Sequence, residues 1–79
     1  MSGYEVSLHD FAYLIKVISR HHAKMIGSWV GLTAHTRKGS IYFRDSKMNE
    51  VSLDEVYRAC QGSTQIQRWI HNMLMGYSR

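Results

Sequence analysis

The chain has 79 residues, of which 44% are hydrophobic and 11% aromatic, so its composition indicates one globular domain and excludes a disordered chain. A single cysteine excludes an internal disulfide framework and is typical of a reducing cytoplasm. Ten lysines and arginines against six acidic residues give a formal net charge of +4. This charge is compatible with an anionic partner, but it is also common in small domains that carry charge to stay soluble.

The sequence shows no sign of membrane insertion. No run of residues approaches the roughly 18 apolar positions that a membrane-spanning helix needs, and the N-terminus lacks the charged start and apolar core of a signal peptide. We therefore expect a cytoplasmic protein that does not enter a membrane. Because no proline, low-complexity tract or linker interrupts the chain, residues 1–79 are predicted to form one compact domain.

The first predicted element is a long helix over residues 8–25 that ends near Gly27. Ser7 is placed to cap its start, with Asp10 three residues later. One side of the helix is apolar, because hydrophobic residues recur at the three- and four-residue spacing of a helical face. This apolar side is formed by Leu8, Phe11, Leu14, Ile15, Ile18, His22 and Met25.

Two features of this helix bear on function. His22 lies in the middle of the apolar side, and it is interpreted as a metal ligand, as a buried pH switch or, as the favoured alternative, as a core histidine with a backbone partner. On the opposite side Lys16, Arg20 and Lys24 are spaced i, i+4, i+8 and so form a ridge of positive charge. The ridge is either a solvated face or a surface that binds an anion.

Residues 27–45 change from the helical period to alternation, which predicts a β-hairpin. Two alternating runs of β-forming residues flank a glycine-containing loop at residues 36–39. One face of the predicted hairpin covers the helices, while Arg37 and Lys38 stand at its tip. The polar connector that follows carries Lys47 and leads into the C-terminal helices.

The C-terminal part of the chain, residues 52–76, is predicted to form two short helices joined at Gly62. Thr64 is placed to cap the second helix, and Gly76 to end it in the left-handed conformation. Two apolar stripes at helical spacing predict that the helices bury these sides by packing face to face. The stripes are Leu53, Val56, Tyr57 and Cys60 in the first helix and Ile66, Trp69, Ile70, Met73 and Leu74 in the second.

The sequence contains no recognisable catalytic or metal-binding constellation. Cys60 lies on an apolar stripe, which favours an inert structural thiol over a nucleophile. The five histidines lack the spacing of metal ligands, and the six glycines are scattered singly rather than gathered in a phosphate-binding loop. We therefore expect a non-enzymatic protein with no cofactor, no metal and no small-molecule substrate.

The segment at the start of the last predicted helix resembles a known DNA-binding motif. It reads Gly62-Ser63-Thr64-Gln65-Ile66-Gln67-Arg68-Trp69-Ile70, preceded by Arg58 and Ala59. It is similar to the helix-turn-helix of small excisionase-like and MerR-like DNA-binding domains, except that the small residue stands three positions before the glycine instead of four. The resemblance implies that one face of this helix enters the major groove and that the hairpin acts as a wing on the DNA backbone. That face would carry Thr64, Gln65, Arg68 and His71.

Together these features predict an α+β fold with a long N-terminal helix, a β-hairpin and a C-terminal helix pair, in the order α-β-β-α-α. The predicted function is that of a nucleic-acid-binding regulator of the phage or mobile-element type, which uses the basic ridge, the hairpin tip and the helix pair. Its candidate binding residues are Lys16, Arg20, Lys24, Arg37, Lys38, Arg44, Lys47 and Arg68.

The alternative function is a protein-binding inhibitor or adaptor of the phage or prophage type that acts on an acidic host protein or a nucleoprotein complex. Such a role needs no motif, and the chain is rich in the aromatic residues that anchor protein interfaces. These are Tyr4, Tyr13, Trp29, Tyr42 and Tyr77. Salt separates the two functions, because phosphate contacts weaken steeply as the salt concentration rises whereas a hydrophobic protein interface changes far less.

Overall fold

A computed structural model describes residues 3–77 as four helices and a three-stranded antiparallel sheet with the strand order β1-β2-β3. The elements are α1 (Leu8–Val17), α2 (Arg20–Trp29), β1 (Thr33–Arg37), β2 (Ser40–Arg44), β3 (Glu50–Val51), α3 (Leu53–Cys60) and α4 (Thr64–Tyr77). The predicted α+β class, the hairpin and the C-terminal helix pair are confirmed. The order is α-α-β-β-β-α-α, with one helix and one strand more than predicted. The added strand, β3, pairs with β2 within the stretch predicted as a polar connector.

The prediction of one long N-terminal helix is wrong, because the chain breaks it at Ile18 and Ser19. Both residues are extended, with ψ angles of 156° and 161°. The Ser19 hydroxyl accepts a hydrogen bond from the backbone N–H of His22 at 3.2 Å, so Ser19 caps α2 as Ser7 caps α1. Ile18 is buried, so the apolar spacing continues across the break and hides it from the sequence pattern.

The hydrophobic core lies between α1, the sheet and the remaining helices. Its largest fully buried side chains are Phe11, Phe43, Leu14, Ile26, Val56 and Cys60. These residues come from α1, α2, α3 and β2. Burial of each large side chain stabilises the fold by about 1.5–3 kcal/mol.

His22 lies outside this cluster. It is half-buried and its Nδ1 lies 2.5 Å from the Tyr77 hydroxyl, so its partner is a side chain and not the predicted backbone group.

The β1–β2 hairpin closes with a two-residue turn, Lys38-Gly39, which is shorter than the predicted loop. Both residues have positive φ, 52° and 82°, as the favoured two-residue hairpin turns require. The register sets Thr36 opposite Ile41, on the face that packs toward the core. Because successive side chains of a strand alternate between faces, Arg37 lies on the opposite, outer face of the sheet.

Helix α4 differs from its prediction at both ends and along its apolar stripe. The Ser63 hydroxyl caps its start by accepting a hydrogen bond from the Ile66 N–H at 3.3 Å. Gly76 lies inside the helix and does not have a positive φ. Ile70 is buried, but Trp69 is 38% exposed. The prediction that the whole stripe is buried is therefore wrong. The Trp69 ring packs instead against that of Trp29, with the ring centroids 4.8 Å apart.

Candidate nucleic-acid interface

Three of the predicted cations line one cleft on the surface. The cleft lies between the α1–α2 corner and the tip of the β1–β2 hairpin, and it consists of two adjoining depressions of about 260 Å³ and about 40 Å³. We call it the helix–hairpin cleft. Arg20, Thr36 and Ile41 line both depressions, Lys16 and Gly39 line the larger one, and Lys24 lines the smaller one. Side chains from two helices and the hairpin are thus within reach of one ligand.

The break between α1 and α2 places these cations at the cleft. Lys16 lies in the last turn of α1, whereas Arg20 is the first residue of α2 and stands one turn before Lys24. The Arg20 guanidinium donates a long hydrogen bond to the Thr36 hydroxyl at 3.4 Å. This contact joins the start of α2 to the strand that leads to the hairpin tip.

Among the described residues, no carboxylate pairs with a cation of the cleft. The ion pairs within residues 3–77 lie on the outer face of the sheet and on α3. Lys16, Arg20 and Lys24 are all exposed. Exposed cations of this kind can contact the phosphates of a polyanion, which gains affinity by releasing its counterions.

Arg20 occupies a position that the helix macrodipole disfavours for a cation. It is the first residue of α2, where the partial charge of the helix is positive. Helices α1 and α3 carry acidic residues in their first turns, as the macrodipole favours. Of the three ridge cations, Lys16 alone lies in the last turn of a helix, where the macrodipole favours positive charge. Arg20 and the α2 N-terminus therefore add their positive fields at the cleft, which favours an anionic ligand.

The two cations predicted at the hairpin tip are separated. Lys38 is exposed in the turn, next to Gly39 at the edge of the cleft. Arg37 lies on the outer sheet face, where its guanidinium is 3.1 Å from Glu50 Oε1 and 4.3 Å from the centroid of the Tyr42 ring. The hydrogen bond from Arg37 to Glu50 and the charge of that carboxylate raise the pKa of Arg37. Arg37 is thus paired, whereas Lys38 is exposed in the turn beside the cleft and does not itself line it.

The remaining three predicted binding residues lie elsewhere. Arg44 donates hydrogen bonds to the Met48 carbonyl at 2.7 Å and to the Tyr42 hydroxyl at 3.3 Å. The hydrogen bond to the hydroxyl lowers the pKa of Tyr42. Lys47 is exposed in the turn after β2. Arg68 lies on α4, 5.7 Å from the centroid of the Tyr4 ring. The eight predicted residues therefore do not form one continuous surface.

The helix face that the resemblance assigns to DNA is partly covered by the N-terminal segment. Thr64 and Gln65 are exposed. The rings of His71 and Tyr4, however, meet edge to face with centroids 5.6 Å apart, and Arg68 lies over the same Tyr4 ring. This face of α4 is also separate from the helix–hairpin cleft, none of whose lining residues belongs to α4.

Cys60 is buried, as its place on an apolar stripe predicted. It is 1% exposed, and burial raises the pKa of its thiol to about 11, so the thiol is protonated at neutral pH. Within residues 3–77, no group of three or more His, Cys, Asp or Glu side chains is arranged to hold a metal ion. No helix in this part of the chain is both long and apolar enough to cross a lipid bilayer.

Thr36 and Gly39 line the cleft, although the sequence pattern did not identify them as site residues. The sequence pattern places both in a four-residue loop. The Lys38-Gly39 pair could have indicated the shorter turn, because glycine readily takes the positive φ that two-residue hairpin turns need. That turn would have placed Thr36 in a strand and on the core-facing side.

Comparisons of the chain with models of known protein families, with curated proteins and with solved structures find no match. The helix-turn-helix resemblance therefore gains no support from them, and what it implies stays a prediction. A function has to be inferred from the geometry of the cleft.

Proposed function

We propose that this protein is a non-enzymatic domain that binds the sugar–phosphate backbone of a nucleic acid through the helix–hairpin cleft. The observation that supports this function is the convergence of Lys16, Arg20 and Lys24 on one cleft, where no carboxylate of the described residues pairs with them. Contacts to phosphate can supply most of the affinity of non-specific binding, and they need no base-reading motif.

Each part of the cleft has a role in this proposal. Arg20 presents the fork of N–H donors that binds phosphate oxygens in pairs, while Lys16 and Lys24 flank it as point charges. The Thr36 hydroxyl adds a polar contact on the hairpin side, and Lys38 reaches the ligand from the exposed turn. Because phosphate contacts position a backbone without reading its bases, we expect little sequence preference. The regulatory role of the phage or mobile-element type stays a prediction.

The salt dependence of binding tests this proposal. Fluorescence anisotropy is measured with labelled duplex DNA and labelled single strands of mixed sequence, from about 50 to about 200 mM salt. The logarithm of the association constant should fall linearly with the logarithm of the salt concentration, with a slope of about −0.9 per phosphate contacted on a duplex and about −0.7 on a single strand. If each of the three cleft cations contacts a phosphate, replacing them by neutral residues should reduce the magnitude of this slope by about 2 to 3.

Two triple variants of equal charge separate the cleft from the effect of net charge. The cleft variant carries Lys16→Gln, Arg20→Gln and Lys24→Gln, and the control variant carries Arg37→Gln, Arg44→Gln and Lys47→Gln. Each removes three positive charges, so each lowers the formal net charge from +4 to +1. We expect the cleft variant to lose most of its affinity for nucleic acid. The control variant should keep most of its affinity and most of the steepness of its salt dependence. Thermal unfolding of both variants checks that they remain folded.

Equal losses in the two variants would mean that net charge alone causes binding, and would refute the role of the cleft. Failure of the wild-type protein to bind any nucleic acid at low salt would refute the proposed function. That outcome would favour the alternative, a protein-directed inhibitor or adaptor, whose hydrophobic interface depends weakly on salt.

A further inference from the structure

Strand β1 forms an edge of the sheet that lacks the usual protection against further pairing. Within residues 3–77 it pairs with β2 alone, whereas the opposite edge is the two-residue strand β3. Short strands, bulges, prolines and charged side chains are the common means of protecting an edge. Strand β1 has five residues paired without a bulge, contains no proline, and carries its only lysine or arginine, Arg37, at its end. It therefore keeps the geometry that accepts another strand.

The register of the hairpin shows which backbone groups of β1 point outward. The pair that closes the two-residue turn, Arg37 and Ser40, is hydrogen-bonded, and successive pairs of an antiparallel ladder alternate between bonded and non-bonded. The N–H and C=O groups of Ala34 and Thr36 therefore point away from β2. Among the described residues, no backbone–backbone hydrogen bond outside the helices and strands uses these groups. The free edge of β1 thus presents two donors and two acceptors.

These outward groups lie at the smaller depression of the helix–hairpin cleft. The depression is lined by three consecutive residues of β1, Ala34, His35 and Thr36. Consecutive side chains of a strand point to opposite faces, so a depression that all three residues line lies along the edge of the strand and not on one face. Thr36 is exposed and Ala34 is half-buried. A ligand can therefore reach the edge.

Two cations of α2 lie beside the same edge. Arg20 and Lys24 line the depression together with Ala34 and Thr36, and the Arg20 guanidinium lies 3.4 Å from the Thr36 hydroxyl. Both cations are exposed, and no carboxylate of residues 3–77 pairs with them. A segment laid along the edge is therefore attracted if it carries carboxylates on the side that faces α2.

The pattern of donors and acceptors favours an extended peptide. Phosphate groups accept hydrogen bonds but cannot donate to the C=O groups of Ala34 and Thr36, whereas a peptide strand supplies both N–H and C=O. A second copy of the chain paired through this edge would place the two α2 helices side by side on one face of the joined sheet. Arg20 and Lys24 would then lie near the same cations of the second copy, which is unfavourable.

We propose that the free edge of β1 binds an extended acidic segment of a protein partner as an additional antiparallel strand, with Asp or Glu at every second position on the face toward α2. This proposal does not rest on nucleic-acid binding. Because the added strand would cover the smaller depression, it would exclude a nucleic acid from Arg20 and Lys24 while it is bound.

Backbone methylation of a peptide separates strand pairing from attraction by charge. The probe is a fluorescein-labelled peptide of about seven residues in which glutamate alternates with valine or threonine. Residues opposite each other in an antiparallel pair share a face, so the glutamates that face α2 lie opposite Ala34 and Thr36 and exchange both hydrogen bonds with them. N-methylation of the glutamates removes these bonds. N-methylation of the intervening residues keeps them at the same charge and is the matched control.

Fluorescence anisotropy measures the affinity of each peptide. We expect saturable binding of the unmethylated peptide, at least about tenfold weaker binding after methylation of the glutamates, and a change of less than about threefold in the control. Two double variants of equal charge test the cations. Arg20→Gln with Lys24→Gln should weaken binding at least about tenfold, whereas Arg44→Gln with Lys47→Gln should change it by less than about threefold.

Amide hydrogen exchange, followed by NMR on the isotope-labelled protein, locates the bound peptide. With saturating peptide, the amide protons of Ala34 and Thr36 should exchange at least about tenfold more slowly. The amide proton of His35, which already lies in the ladder with β2, should change little and serves as the internal control.

Several outcomes would overturn the proposal. Failure of the unmethylated peptide to bind, or equal affinity of the two methylated peptides, would exclude strand pairing. Unchanged exchange at Ala34 and Thr36 would place the peptide elsewhere, and protection of these amides by a single-stranded oligonucleotide alone would assign the edge to nucleic acid. Self-association that protects them without peptide would assign it to a second copy. The salt titrations judge the nucleic-acid function separately, so the two proposals can fail independently.

Discussion

Burial determines the chemistry of Cys60, the one cysteine of the chain. Its side chain is 1% exposed in the core, where a thiolate would lose its hydration without gaining a partner. Desolvation therefore raises the pKa of the Cys60 thiol from an ordinary value of 9.0 to about 11. The neutral thiol packs as a small apolar group, and its titration lies far above neutral pH.

This pKa shift predicts how Cys60 affects stability in alkaline solution. Below pH 9.0 the thiol is protonated in both the folded and the unfolded chain, so it adds no pH dependence. Between pH 9.0 and about 11 the unfolded chain releases the proton while the folded chain still holds it, so the free energy of unfolding falls as the pH rises. We expect urea unfolding to show this fall in the wild-type protein relative to Cys60→Ala, which lacks the thiol and serves as the control for other alkaline titrations. A difference between the two proteins that is constant across this pH range would contradict the prediction.

Neighbouring positions on one apolar stripe can differ widely in burial. Ile70 is 2% exposed and Trp69 is 38% exposed, although helical spacing places both on the same side of α4. Spacing along a helix gives the direction in which a side chain points. It does not give how far the neighbouring elements extend over that side. Helix α2 contacts Trp69 through the Trp29 ring, and 38% of Trp69 stays exposed.

At the scale of elements, a serine cap decides where the N-terminal helices divide. Ser19 stands in an apolar period that continues from Ile18 to Met25, and this period predicts one helix. Serine competes with the helical backbone for hydrogen bonds, because its hydroxyl can accept an N–H three residues later. Ser19 makes this bond to the His22 N–H, and its own N–H donates to Tyr77. The break is therefore stabilised by contacts on both sides of the serine.

Removing the cap should destabilise the protein. We expect Ser19→Ala to lower the free energy of unfolding by about 0.5–2 kcal/mol, because the His22 N–H loses its acceptor. Ser28→Ala in the same helix is the matched control. The Ser28 hydroxyl donates to the Met25 carbonyl, so its loss should be neutral or slightly stabilising given the higher helix propensity of alanine. Urea unfolding measures both variants. A rise in helical circular dichroism without a loss of stability in Ser19→Ala would show instead that α1 and α2 join into one helix.

At the scale of the whole molecule, α2 separates two surfaces of different character. Arg20 and Lys24 line the helix–hairpin cleft, while His22, Met25 and Trp29 line an open groove of about 720 Å³ between α2 and α4. The two surfaces share no lining residue. Helix α2 thus carries charged side chains on one side and partly uncovered apolar side chains on the other.

This arrangement predicts that a substitution in the groove, which Gly76 also lines, leaves nucleic-acid binding unchanged. Gly76→Leu should leave the affinity for nucleic acid and its salt slope unchanged, because distant sites without shared partners behave additively to within about 0.5 kcal/mol. Anisotropy titrations of the wild-type protein and Gly76→Leu over the same salt series measure this. A large loss of nucleic-acid binding in Gly76→Leu would mean that cleft and groove belong to one binding surface.

The local order of residues determined the α+β class, the hairpin and the C-terminal helix pair. Periods of 3.6 and 2 and a glycine in a turn are properties of neighbours along the chain, so they can be read without coordinates. The excess of lysine and arginine over acids is likewise a property of the sequence.

Only the tertiary structure decided which of these cations share a surface and which apolar residues stay uncovered. Lys16 and Arg20 meet the hairpin because the chain turns at Ser19, whereas Arg37, which precedes the hairpin turn directly, faces the other side of the sheet and pairs with Glu50. Both results depend on distances between residues far apart in the chain. Spacing along the chain does not contain those distances, because they are set by how complete elements pack against one another.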